Sequence, residues 1–351
     1  MPLARRTLLL AALPLPAHAD GGSAAMDFPA DFGAHPAQAI EWWYLTGLLG
    51  DRDGSPPRFG YQLTFFRLRG PAAAGHPSAL AARQLLLGHV ALSDLGAKRQ
   101  RHAQRLLRAT PGAVFAAEGD CQLQLRDWRL RRERDGHRAV FSGPGFSLEL
   151  ELASPDAPLL QGDGGRSRKG PDPAQFSHYY SRPQLHTQAA LTLDGGRQSL
   201  AGRSWLDHEW SDRLLGGAVG WDWLGINLHD GRALTLFQLR RPDGSRHWAG
   251  GSLRRPGEPD RSFAPGEVVM TPRRHWTSPA TGGRWPVEWQ LRSPAGDMRL
   301  VAAFDAQEID ARASTGLVYW EGAARLLDER GREAGWGYLE LTGYAGRPPL
   351  A

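Results

Sequence analysis

A duplicated strand pair constrains the fold of this chain more than any other feature. Leu63-Thr64-Phe65-Phe66-Arg67-Leu68-Arg69 matches Leu234-Thr235-Leu236-Phe237-Gln238-Leu239-Arg240 without a gap. Upstream, Trp42-Trp43-Tyr44-Leu45 corresponds to Trp221-Asp222-Trp223-Leu224 in the same order. The interval between the matched segments is longer in the first copy. The extra residues fall in 51–60, a Gly- and Pro-containing stretch that suits a hairpin loop. Each half of the chain therefore opens with an aromatic-rich strand, a turn and a second strand.

The remaining pattern supports β structure. Phe146, Leu148, Leu150 and Leu152 alternate with Ser147, Glu149 and Glu151. Trp289 and Leu291 alternate with Glu288, Gln290 and Arg292, and Tyr338, Glu340 and Thr342 with Leu339 and Leu341. Leu123, Leu125 and Asp127 share one face of an extended 121–130 segment. Such period-two runs between turns read as antiparallel strands with one buried face. The 43 glycines and 26 prolines supply the breaks. The uniformly apolar 84–92 run reads as a buried strand, and 99–109 as a short helix. Residues 155–183 read as a long loop folded over a barrel mouth. An all-β fold of two tandem antiparallel barrels or sandwiches follows, because closure hides strand edges. The expected division is 27–205 and 206–346, and 351 residues suit two cores better than one.

The N-terminus reads as a signal peptide over 1–19. Arg5-Arg6 precedes a short apolar run at 8–15, and Ala17-His18-Ala19 offers a cleavage site after Ala19. The general and twin-arginine routes both fit, and a periplasmic or secreted location is expected. The run is shorter than the roughly 20 residues a membrane span needs, so the chain reads as not transmembrane. Cys121 is the single cysteine, which rules out an intrachain disulfide. The formal charge is +5, with acidic residues interspersed and no basic stripe, so nucleic-acid binding is not expected.

The chemistry concentrates in Ser204-Trp205-Leu206-Asp207-His208-Glu209-Trp210. On an extended strand Trp205, Asp207 and Glu209 share one face, and Ser204, Leu206, His208 and Trp210 the other. Two carboxylates beside an indole in an apolar setting have raised affinity for a proton. One can then act as a general acid, while the indole face stabilises a developing cation. Protonation of an alkene or isoprenoid needs that pairing. Trp221 and Trp223 face together with Asp222 turned away. Glu41 and Trp43 share one face of their strand, Trp42 and Tyr44 the other. The bland roles stay open: core tryptophans, and carboxylates that bond indole N–H groups or interface arginines. His89 and His186 read as core histidines. Asp207-His208-Glu209 is no metal site by spacing, since neighbours on a strand point opposite ways, and no cofactor is expected. No Gly-x-Ser-x-Gly elbow, phosphate loop or dinucleotide fingerprint is present.

The Glu41-Trp42-Trp43-Tyr44 opening, Ser167-Arg168-Lys169-Gly170, Tyr179-Tyr180-Ser181, Ser204–Ser211 and Gly220-Trp221-Asp222-Trp223 resemble the AttH-like, carotenoid 1,2-hydratase-like family. The resemblance runs from about Phe28 to Tyr344. It implies two lipocalin-like barrels. It also implies a hydrophobic, isoprenoid- or lipid-like ligand, and hydro-lyase chemistry like that of carotenoid 1,2-hydratase. Members are often described as secreted hydrolases, a label without mechanistic support in these residues. On this reading Asp207 is the acid, Glu209 and Glu41 assist, and Trp43, Tyr180, Trp205, Trp221 and Trp223 contact the ligand. The alternative is a non-catalytic lipophile carrier partnered with an inner-membrane ABC-type transporter.

Overall fold

A computed structural model describes residues 25–70, 78, 81–212 and 218–346. The 1–19 segment expected to direct export lies outside these. The fold is all-β, with 3-10 turns at Ala30–Phe32 and Pro265–Glu267. Two sheets account for the strands, thirteen in the first and ten in the second. Each wraps around its own apolar core as a lipocalin-like barrel. No helix among the described residues is long and apolar enough to cross a membrane.

The two copies of the hairpin hold equivalent places. In the first sheet the Ile40–Gly50 strand lies between Phe59–Arg69 and Gly196–Ser211. In the second, Gly220–Leu228 lies between Ala233–Arg240 and Glu333–Leu341. The pairing registers differ by an even step. Trp42 lies opposite Phe66, whereas Trp221 lies opposite Leu239, which corresponds to Leu68. An even step keeps every side chain on its own face. Trp42 and Tyr44 thus point the same way as Trp221 and Trp223, toward the seam between barrels, where these aromatics join one cluster. Behind each hairpin sits a buried acid–arginine pair: Glu41–Arg67 at 2.6 Å and Asp222–Arg240 at 3.0 Å.

Four local expectations change. Residues 99–109 form no helix; Arg99–Arg108 is a strand paired with Gln84–Asp94. Its Arg, Gln and Leu content favours a helix, but tertiary pairing overrides that weak preference. The strand ends its sheet, and charged side chains suit an edge. Residues 121–130 break into Gln122–Leu125 and Trp128–Glu133 around Arg126, whose φ is 63°. The 155–183 stretch is not one loop. It carries the short strands Leu159–Leu160 and Arg166–Arg168, then enters the long strand Phe176–Leu193. Finally, Gly196–Ser211 pairs with Ile40–Gly50 along its full length, so the first sheet continues past the border expected at 205.

Candidate active site

Strand parity divides the Gly196–Ser211 strand as expected, and its two faces serve different clusters. Leu206 and Trp210 join the first barrel's core, and His208 stacks on Trp43 there. Asp207 and Glu209 face a cavity of about 130 Å³ between the barrels. The register sets the levels of its wall: Trp42 lies opposite Glu209, and Tyr44 opposite Asp207. The second barrel contributes Trp221, Trp223 and Phe237, with Glu321 and Glu340. Trp42, Phe66, Leu68, Trp221 and Leu317 are partly exposed and form the open side, whereas Tyr44, Asp207 and Glu321 are buried.

Asp207 is held from three directions. Ser181 Oγ donates to it at 2.5 Å, Trp205 Nε1 at 2.7 Å and the Tyr179 hydroxyl at 2.9 Å. Trp223 Nε1 in turn donates to the Tyr179 oxygen at 3.0 Å. The donors favour the carboxylate, but burial outweighs them, and with help from Glu209 raises the pKa of Asp207 to about 7. Proton affinity is thereby matched to neutral pH, as a general acid requires. The indole N–H groups can only donate. The Tyr179 and Ser181 hydroxyls can reorganise with Asp207, donating when it is ionised and accepting when it is protonated.

Glu209 is committed differently. It accepts from Ser177 Oγ at 2.5 Å and pairs with Lys169 at 2.9 Å. The Lys169 ammonium also lies 4.5 Å from the Phe237 ring and 5.0 Å from that of Tyr179. Lys169 comes from the 155–183 stretch, which also ties the barrels together. Gln161 bonds Ser181 on one side and Thr235 and Ser252 on the other. Across the cavity Glu321 and Glu340 are cross-strand partners. Burial and the Asp207 and Glu209 charges push Glu340 up to about 8, against a hydrogen bond from Trp221. Burial and the Glu340 charge raise Glu321 as well, against the Tyr44 and Tyr319 hydroxyls.

The expected site residues thus separate. Asp207, Glu209, Trp221 and Trp223 meet in the cavity. Trp205 stands behind Asp207 and positions it, 2% exposed and away from the cavity wall. Glu41, Trp43 and Tyr180 lie on the reverse face, inside the first barrel. There Glu41 accepts from Arg67 Nε, the His35 backbone N–H (2.9 Å), His35 Nδ1 (2.7 Å) and His208 Nε2 (2.9 Å). His208 stacks on Trp43, and His35 on Trp210. Burial opposes the charge of Glu41, yet these donors hold its pKa far below the usual range. His35, Glu41 and His208 bring three ligand atoms within 4.8 Å, a spacing a metal could use. The Arg67 guanidinium already occupies the carboxylate, and a second cation there would meet direct repulsion. The donor set fits a closed ionic cluster rather than a metal centre.

Of the two histidines expected in cores, His186 is exposed and pairs with Asp53. His89 is buried, bonding Tyr319 at 2.8 Å and Ser314 at 2.9 Å across the barrel junction. Tyr179, Tyr44, Lys169, Glu321 and Glu340 were not identified as site residues from sequence. A lone acid inside the apolar Leu317–Leu327 strand was the available signal for Glu321.

A sequence profile of the AttH-like family matches residues 20–344. The chain belongs to the AttH-like family. A crystal structure of an AttH homologue from Nitrosomonas europaea is 39% identical, with TM-score 0.84, covering 92% of this chain and 98% of that one. Kievitone hydratase from Nectria haematococca is 13% identical, with TM-score 0.67, covering 92% and 94%. CghA is also 13% identical, with TM-score 0.56 and 96% of both chains covered. At that identity the last two show a shared fold. Among curated proteins none matches this family member significantly.

Proposed function

We propose that this AttH-like protein binds the alkene end of an isoprenoid-like molecule between its barrels and adds water to it, with Asp207 as proton donor. The observation that carries the reading is a buried acid of neutral pKa beside an aromatic cavity. An apolar cavity near 150 Å³ holds a benzene-sized group. The space of about 130 Å³ therefore suits a branched chain end whose tail leaves by the open side. Protonated Asp207 gives its proton to the less substituted carbon; a C–H bond forms as the π bond breaks. The cation left on the neighbouring carbon rests against ring faces, each worth roughly 0.5–2 kcal/mol. Water adds there and loses a proton to the Asp207 carboxylate, which restores the acid. Tyr179 reorients as Asp207 changes charge. A hydratase of the same fold, kievitone hydratase, supports the reaction class.

The test is turnover of acyclic isoprenoid and polyene alkenes by wild type and Asp207→Asn. A loss of about 10²–10⁴-fold is expected, with wild-type activity falling as pH rises through about 7. Equal, nonzero activity in both proteins removes Asp207 from the mechanism. The apolar lining also favours a second reading, a lipophile carrier serving an inner-membrane transporter. Native mass spectrometry of protein from its own host separates the two: a carrier retains its lipophile in Asp207→Asn, with no turnover in either form. We further place the protein outside the cytoplasm, from the 1–19 segment. N-terminal sequencing of host-derived protein should then begin at Asp20.

A further inference from the structure

Hydration as described uses the first barrel's acid and leaves the second barrel's two acids without a task. Glu321 is 1% exposed, and its Oε1 has no well-formed hydrogen bond among the described residues although the side chain lines the cavity. The Tyr44 hydroxyl beside it is likewise buried; it and Tyr319 are the uncharged neighbours that oppose the rise in proton affinity of Glu321. Leaving a carboxyl oxygen dry and poorly bonded is costly, and placing a second acid opposite it costs more. The lysine of the cavity wall does not relieve this, because Lys169 is engaged by Glu209 at 2.9 Å. Positive charge is what the second wall lacks.

We infer that the Glu321–Glu340 pair, walled by Tyr44, Trp221 and Trp223, is a subsite for a lipophilic cation, a branched positive centre at the end of an apolar chain. Carboxylates supply the countercharge, and aromatic faces supply a shell that needs no water. Two sources share this chemistry. One is the carbocation of the proposed hydration, and for that source the inference rests on the proposed function. The other is a stable ammonium ligand. Without a cation, burial and the neighbouring acids favour the protonated form of both members of the pair. A bound cation lets one carboxyl ionise and release its proton.

The titratable groups facing the pair are Asp207, Glu209, Lys169, Tyr44, Tyr319 and His89. Glu209 and Lys169 balance each other. Burial and His102 lower His89 to about 3, which leaves it neutral, and burial raises both tyrosines. Asp207 and the pair itself therefore carry the titration near neutral pH.

The experiment compares geranyl-trimethylammonium with its uncharged carbon isostere by calorimetry at pH 7, in buffers of different ionisation enthalpy. Wild type should bind the ammonium about tenfold more tightly and release a proton on doing so. Glu340→Gln and Glu321→Gln should each bring the ratio close to one while binding the isostere as wild type does. Retained binding of the isostere shows that the variants are folded. Equal affinities in wild type, or a preference surviving in both variants, overturn the subsite. A pair-dependent preference with no alkene turned over leaves the subsite standing and removes the hydration. Hydration without any ammonium preference does the reverse.

Discussion

Glu41 and Glu321 are equally buried glutamates in opposite circumstances. Glu41 is 0% exposed and surrounded by donors from Arg67, His35 and His208. Glu321 is 1% exposed, has an oxygen without a well-formed hydrogen bond among the described residues, and faces a second acid. Their proton affinities move in opposite directions, although burial raises both. Neighbours decide the sign. A carboxylate whose every lone pair is used is structural, because nothing is left to meet a ligand. A carboxyl kept dry, neutral and open to a cavity has its interactions still to make.

The contrast breaks most visibly at Glu41. Glu41→Gln leaves Arg67 without its buried countercharge and His35 with Asp31 alone, and should cost about 3–5 kcal/mol in chemical denaturation. Glu321→Gln should do the opposite and stabilise by about 0.5–2 kcal/mol, as removal of a strained functional group commonly does. Destabilisation of similar size by both would erase the distinction. Smaller still is the pH dependence. Asp207 and Glu340, raised from 3.8 and 4.5 to about 7 and about 8, keep protons that the unfolded chain has lost. Their contribution to stability is complete below the unfolded values, declines as pH rises, and levels off above about 8. Glu41, lowered from 4.5, contributes above that value and loses its contribution as pH falls. Unfolding curves across pH should therefore show a neutral limb flattened by Glu340→Gln and an acid limb flattened by Glu41→Gln. Identical profiles for the two variants would contradict the assignment.

Much of this was legible in the sequence because it depends on parity. The matched hairpins gave two barrels, and alternation separated Asp207 and Glu209 from His208 and Trp210. The same alternation turned Trp221 and Trp223 together and Asp222 away. Parity does not say which face of a doubly buried strand meets the cavity. Glu41 and Trp43 were therefore expected in a site that Trp42 and Tyr44 line instead. Tyr180 was expected at the site, but Tyr179 is there: Tyr179 lies opposite Glu209 and shares its face, whereas Tyr180 lies opposite His208. Glu321 escaped notice because its role comes from a partner strand and a facing barrel, and neither is written in its own segment. The 99–109 helix failed where local preference met an edge pairing.

The even offset between the two hairpins bears on ancestry. It turns the aromatic pairs Trp42/Tyr44 and Trp221/Trp223 toward one another, so each copy shields the other's ring surface. A lone ancestral barrel with this face would have shown a band of tryptophan to water, an invitation to self-association. Pairing through a two-fold axis would have covered it. The two halves still carry acids at matching levels of that face: Asp207 lies opposite Tyr44 in the first copy, and Glu340 opposite Trp223 in the second.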